Sequence, residues 1–295
     1  MANLYTQSES NIRKTWAYLL FFFVFIISLG WVMSYFLETQ AILWVAVVFA
    51  IILNIASYWY SDKIVLSMVK ARPVKKEDNP ELYRLVENLS ITAGLPMPKI
   101  YIMNEMQPNA FATGRDPEHG VVVVTEGLLN ILEKSELEGV LAHELAHIGN
   151  RDILLSTVVV VLVGMVVIMT DMFFRIAFFG GGDNKNKGPM IIIALILAIL
   201  APLMAQLMKL AISRKREFLA DSSGALLTRY PDGLARALEK ISKDPHPMTK
   251  ASNATAHMFI SNPFRGKETA SWLSKMFMTH PPAEERISKL KEMSL

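Results

Sequence analysis

Residues 135–170 read SELEGVLAHELAHIGNRDILLSTVVVVLVGMVVIMT, and the first half of that stretch is patterned differently from the second. In the first half, Leu137, Val140, Leu141, Leu145 and Ile148 recur at helical spacing and form a stripe fit for burial. Ser135, with Glu138 three residues on, predicts a capping box that opens this helix. From Ile153 to Thr170 come 18 residues without a charge, close to the ~20 needed to cross a hydrocarbon core. Only about five residues separate His147 from Ile153, so anything bound at His147 sits within roughly 20 Å of the bilayer surface.

The amphipathic helix carries His143-Glu144-Leu145-Ala146-His147. Residues four apart stack on one helix face, so both histidines can turn an imidazole toward one ion. Glu144 sits beside the first histidine and can reach a water on that ion without ligating it. Zinc brings such a water toward a pKa near 7, and a carboxylate can then take its proton to make the attacking hydroxide. A catalytic zinc usually takes three protein ligands and leaves a position open. The chain has no cysteine, so the third ligand is expected to be His, Glu or Asp. Glu217 is the best candidate. Asp221 follows four residues later, on the same helix face, where it can orient a ligating histidine from behind. A solvated face with ordinary charges is the plainer alternative for this pair.

Three further runs match the apolar segment after the histidines. Thr15–Leu37 has 23 residues without a charge, Ala41–Tyr60 has 20 and Gly188–Met208 has 21. Together they predict four transmembrane helices. Aromatic flanks such as Trp16, Trp31, Tyr58, Trp59 and Tyr60 suit the membrane interface. The first run is too long for a cleaved signal peptide, and a second follows almost at once. Arg13 and Lys14 precede the first span; Lys63, Lys70, Arg72, Lys75 and Lys76 follow the second; Arg214, Lys215 and Arg216 follow the fourth. The loop between the third and fourth spans holds only Arg175, Lys185 and Lys187. The positive-inside rule therefore places the amino terminus, residues 61–152 and the carboxy-terminal third in the cytoplasm. Two crossings lie between His147 and Glu217, so the chain returns to the side where the ligands can meet.

Apolar residues make up 52% of the 295-residue chain, and mean hydropathy is +0.31. Outside the four runs about 200 residues remain, enough for one compact domain with its own core. A net charge of +3, with no basic stripe interleaved with aromatics, excludes a nucleic-acid partner. Four segments are expected. Residues 1–60 form an amino-terminal transmembrane hairpin, and 61–152 the first part of a catalytic domain. Residues 153–212 form a second hairpin, and 213–295 the second part of that domain. Within the soluble parts the pattern predicts a helix over Glu81–Thr92 ending near Gly94, strands at Lys99–Met103 and Val121–Thr125, and a third strand at Asn109–Thr113. Helices are also expected over Ser213–Leu227, Asp232–Ser242 and Pro282–Glu292, and a mobile loop or lid over 244–275.

Four stretches in this order resemble the HtpX family of bacterial membrane peptidases, which is related to the CAAX prenyl endopeptidases. They are Asn109-Ala110-Phe111-Ala112-Thr113-Gly114, the HELAH helix with Asn150-Arg151-Asp152, Ser213-Arg214 through Asp221, and Met278-Thr279-His280-Pro281-Pro282 with Arg286. The resemblance spans nearly the whole chain. It implies a mainly α fold with a small β-sheet, in which four transmembrane helices accompany a cytoplasmic, gluzincin-like HExxH domain holding one Zn2+ per chain. It also implies that Asn109 lies by the substrate cleft, on or near an edge strand, and that His280 and Arg286 steady the tetrahedral intermediate. A donor near a developing oxyanion is worth several kcal/mol in a dry site. The plainer readings are a helix-opening residue before two prolines for His280 and an ordinary turn residue for Asn109. Asp152 can either support the site or cap the third span.

The expected activity is that of a zinc endopeptidase of the inner cell membrane, acting on misfolded or damaged membrane proteins at the cytoplasmic face as part of a stress response. This physiological role follows from the resemblance. The alternatives are a processing peptidase for a defined peptide and, from another class, an inactive membrane scaffold. The intact set His143, Glu144, His147 and Glu217 argues against the scaffold.

Overall fold

The computed structural model describes residues 4–36, 38–179, 188, 191, 195–196, 214–250, 252, 254–263 and 281–293. Helices α1 (Leu4–Phe36) and α2 (Ala41–Trp59) pair as a hairpin, and α3 (Ser61–Met68) leads out of it. Strand β1 (Arg72–Pro73) precedes helix α4 (Pro80–Ala93), after which come β2 (Lys99–Met103), β3 (Ala110–Thr113) and β4 (Val121–Thr125). Helices α5 (Glu126–Ile131), α6 (Lys134–Gly149) and α7 (Asp152–Phe179) follow. Beyond residue 213 lie α8 (Arg214–Thr228), α9 (Pro231–Lys243) and α10 (Ala283–Glu292). The Asn79 side chain caps α4, and Gly94 ends it with φ +66°, a left-handed value that glycine adopts without steric cost.

The sheet order is β1-β2-β4-β3, with β2 and β4 parallel and β3 antiparallel at one edge. Both faces are covered, which is why β4 is an unbroken valine run rather than an alternating one. On one face Ile100, Ile102, Ala110, Ala112, Val122 and Val124 pack with α4 and α6. On the other, Met103, Phe111, Val121 and Val123 meet α3, Phe259, and Val160 and Val161 of α7. A separate apolar cluster joins Leu19, Phe22 and Ile26 of α1 to Leu155, Val158 and Leu162 of α7.

Helices α1, α2 and α7 are long and apolar enough to cross a membrane. Two-thirds of the apolar window of α7 is buried within the protein, against 28% for α1 and 17% for α2. The hairpin therefore presents most of its apolar surface outward, including Trp16, Leu20, Trp31, Trp44, Val48, Ile52 and Trp59, whereas α7 ties it to the soluble core. The fourth expected span falls almost wholly outside the described residues.

Several expectations are corrected. Helix α6 starts one residue before Ser135, and its cap is built from Glu133 and Glu136, with the Glu133 amide donating to Glu136 Oε2 at 2.8 Å. Glu136 also accepts from Lys240 of α9 at 2.7 Å, which holds that carboxylate at the cap. Helix α7 runs past Thr170, and Asp171 and Arg175 pair four residues apart on its exposed side. Residues 254–263, expected in a mobile loop, are well packed: Phe259 and Ile260 are buried, and Ile260 N donates to Ala110 O on the outer edge of β3. The rest of that loop call, beyond residue 263, lies outside the described residues.

Candidate metal centre

Helices α6 and α8 bring the expected ligands together. They pack closely at Gly224, where a Cβ atom would come within 3.0 Å of His143 N and 3.2 Å of Ala142 C. Two turns earlier on α8, Glu217 faces the histidines. His143 Nε2 and His147 Nε2 are 3.2 Å apart, and Glu217 lies 3.9 Å from the first and 3.6 Å from the second. One ligand atom from each residue falls within 4.8 Å of the others. The edges of a tetrahedron with metal–ligand bonds of 2.0–2.1 Å are about 3.3 Å, so the triad fits a zinc-sized ion with little movement.

Each histidine is held from behind by a carboxylate. Asp221 Oδ1 lies 2.9 Å from His143 Nδ1, and Asp152 Oδ2 lies 3.1 Å from His147 Nδ1. With Nδ1 engaged, Nε2 of each ring is left for the ion. Asp152 therefore supports the site directly, which resolves the choice left open by the sequence. It reaches His147 because Arg151 takes a left-handed φ of +56° between α6 and α7, folding the start of α7 back on the histidine.

The electrostatics favour a divalent cation. Glu144, Asp152, Glu217 and Asp221 are buried, as are Arg216 and Arg286. Four carboxylates against two guanidiniums leave two negative charges over, a surplus that a doubly charged ion balances. Burial pushes His143 down to about 4, assisted by Arg286 and outweighing Asp221, so its ring is neutral at physiological pH. Burial also pulls on His147, but its bond to Asp152 and the charges of Glu217, Asp152 and Glu144 carry it up to about 9. Burial would raise Asp221, yet the Arg286 charge and the His143 bond hold it well below the usual carboxylate range.

A cavity of about 40 Å³ opens beside the triad, lined by Ala112, Glu144, His147, Glu217, His257 and Met258 among others. It has room for water next to Glu144. Asn109, buried at the start of β3, donates to Ser261 O at 2.9 Å and accepts from Ser261 N at 3.2 Å. It thereby pins the segment that brings His257 to the cavity wall.

A model of peptidase family M48 matches residues 76–294. The chain belongs to peptidase family M48. It is 50% identical over 254 residues to a protease HtpX homolog from Syntrophobacter fumaroxidans, covering 84% of this chain and 89% of that protein. To the protease HtpX homolog of Caldanaerobacter subterraneus subsp. tengcongensis it is 44% identical over 301 residues, covering 99% and 98%. A crystal structure of S. mikatae Ste24p aligns with a TM-score of 0.49 at 22% identity, covering 88% of this chain and 62% of that one. This M48 chain is accordingly a metalloprotease with the apolar helices of a membrane protein.

Within the M48 domain, Arg286, the residue expected to steady the tetrahedral intermediate, packs against Asp221 and the triad. Its side chain is 1% exposed, and it donates to both Asp221 oxygens, from Nε at 2.9 Å and from Nη2 at 2.6 Å. A third bond reaches Ile260 O at 3.3 Å. Its guanidinium also faces the triad, with Nη2 3.4 Å from His143 Nε2 and Nη1 3.9 Å from Glu217 Oε2. His280 lies outside the described residues. The sequence offered no signal for His257, an isolated histidine in a segment without periodicity, or for the buried contacts of Asn11 described below.

Proposed function

We propose that this M48 chain is a zinc-dependent endopeptidase that cleaves misfolded or damaged membrane proteins at the cytoplasmic face of the cell membrane. The reading rests chiefly on one observation: the His143–His147–Glu217 triad, with Glu144 beside it, sits directly at the foot of α7. A site so placed acts on polypeptide that emerges from, or lies against, the bilayer. The four-segment division at residues 60, 152 and 212 and the positive-charge bias support two hairpins with a cytoplasmic catalytic unit between and after them.

His143, His147 and Glu217 would hold the ion, one per chain. When bound, zinc supplies the Lewis acidity that brings water toward ionisation at neutral pH. Glu144 takes the proton from the attacking water in the cavity and returns it to the departing amine. Asp221 and Asp152 keep the two imidazoles in one tautomer and orientation. His280 is proposed to donate to the oxyanion.

The test compares membrane proteomes of cells carrying the native chain and Glu144→Gln. A quality-control enzyme predicts many membrane proteins retained on the inactive variant. One accumulating precursor, with a single missing product, would replace this role with that of a processing peptidase.

A further inference from the structure

Asn11 lies before the first uncharged run, in a part of α1 with no motif, yet its side chain is 3% exposed. Its amide is used in both directions. Nδ2 donates to Asp152 Oδ1 at 2.8 Å, and Oδ1 accepts from Arg216 Nη1 at 2.8 Å. The other oxygen of Asp152 is the one on His147. Arg216, which also faces Asp152 Oδ1 at 3.6 Å, immediately precedes Glu217 on α8. One amide therefore joins the supports of two metal ligands that are 70 residues apart in the chain.

We propose that Asn11 is a positioning residue of the metal site: it fixes Asp152 against His147 and Arg216 beside Glu217, so that the site binds its ion tightly only while this amide is in place. This rests on the zinc-peptidase reading above. An amide suits the place chemically. A carboxylate there could accept from Arg216 but would repel Asp152, and an ammonium would do the reverse. Only a group that donates on one side and accepts on the other satisfies both neighbours. Buried Asp152 and Arg216 would each lose a partner if Asn11 were apolar, and Asp152 would be free to rotate away from His147. Docking of α1 rests on Leu19, Phe22 and Ile26 against α7, so the amino-terminal hairpin does more than anchor the chain.

The experiment uses the full chain in detergent or nanodiscs, comparing native protein with Asn11→Leu, Asn11→Gln, Asp152→Asn and Leu19→Ala. Zinc affinity is measured by chelator competition, the cobalt-substituted absorption spectrum is recorded, and Tm is measured on the same preparations. Asn11→Leu should weaken zinc binding about 10–100-fold, the usual effect of removing an outer support of a ligand, and should alter the cobalt bands. Asn11→Gln keeps donor and acceptor and should fall between native and Asn11→Leu, which also covers the case in which Asn11→Leu does not fold. Adding Asn11→Leu to Asp152→Asn should cost less than the two single losses combined, because both act in part through His147. Leu19→Ala should lower Tm with zinc affinity and the cobalt spectrum unchanged. Native affinity in Asn11→Leu, or an equal loss of zinc in Leu19→Ala, overturns the proposal. A native chain that takes up no zinc would strike down the zinc-peptidase reading instead, and this proposal with it.

Discussion

Arg286→Met separates two roles for the most deeply buried cation of the site. Methionine keeps the unbranched shape of the side chain but removes two charge-assisted bonds to Asp221, at 2.9 and 2.6 Å. Asp221 itself is 2% exposed, so its carboxylate would be left buried with no compensating cation. Breaking a buried pair from one side costs about 3–5 kcal/mol. At about 2–4 °C per kcal/mol for a domain of this size, Tm should fall by roughly 6–20 °C. Because Asp221 also holds His143, zinc affinity should fall with it, by about 10–100-fold. Adding Asp221→Asn should recover part of the lost Tm, since no charge is then stranded, while zinc stays weak. The assay is thermal unfolding and chelator competition on the same purified protein. If Arg286→Met keeps native Tm and zinc affinity but loses kcat, the guanidinium acts on the transition state and the positioning argument is wrong.

Other outcomes follow from the same geometry. Glu217→Ala should lose both zinc and hydrolysis, and tight stoichiometric zinc in that variant would move the third ligand elsewhere. Gly224→Ala places a methyl group 3.0–3.2 Å from the backbone of Ala142 and His143, and overpacking of that kind costs about 1–3 kcal/mol. It should lower Tm and loosen zinc by separating α6 from α8; unchanged values on both measurements would mean the helices do not meet there. A reporter fused after Leu295 should read cytoplasm and one inserted within residues 180–188 the opposite side, whereas agreement between them would mean that the third and fourth runs do not cross.

The grouping of the expected ligands was legible because its signals are local. His143, Glu144 and His147 share one turn of helix, Glu217 and Asp221 another, and both pairings depend only on a spacing of four. Three of the four expected spans were legible by length, as helices long and apolar enough to cross a membrane. What escaped depends on contacts between distant segments. Asp152 reads equally as a cap or a partner until the left-handed turn at Arg151 places it on His147. The bonds of Arg286 to Asp221 likewise appear only when α10 docks. Residues 254–263 lack periodicity because their order comes from pairing to the outer edge of β3 and from the bonds of Asn109, not from an element of their own. Asn11 carried no signal, since a single asparagine ahead of an apolar run is compatible with any surface.

The most direct measurement is metal content and peptide hydrolysis on Glu144→Gln beside the native chain. Glutamine fills the same space beside the triad but cannot take a proton, so the ligands stay and the base is lost. We expect one zinc per chain in both proteins, with hydrolysis present in the native chain and abolished in the variant. Near-native hydrolysis by Glu144→Gln, or a native chain that cleaves peptides equally well after its zinc is removed, would contradict the mechanism proposed for this site.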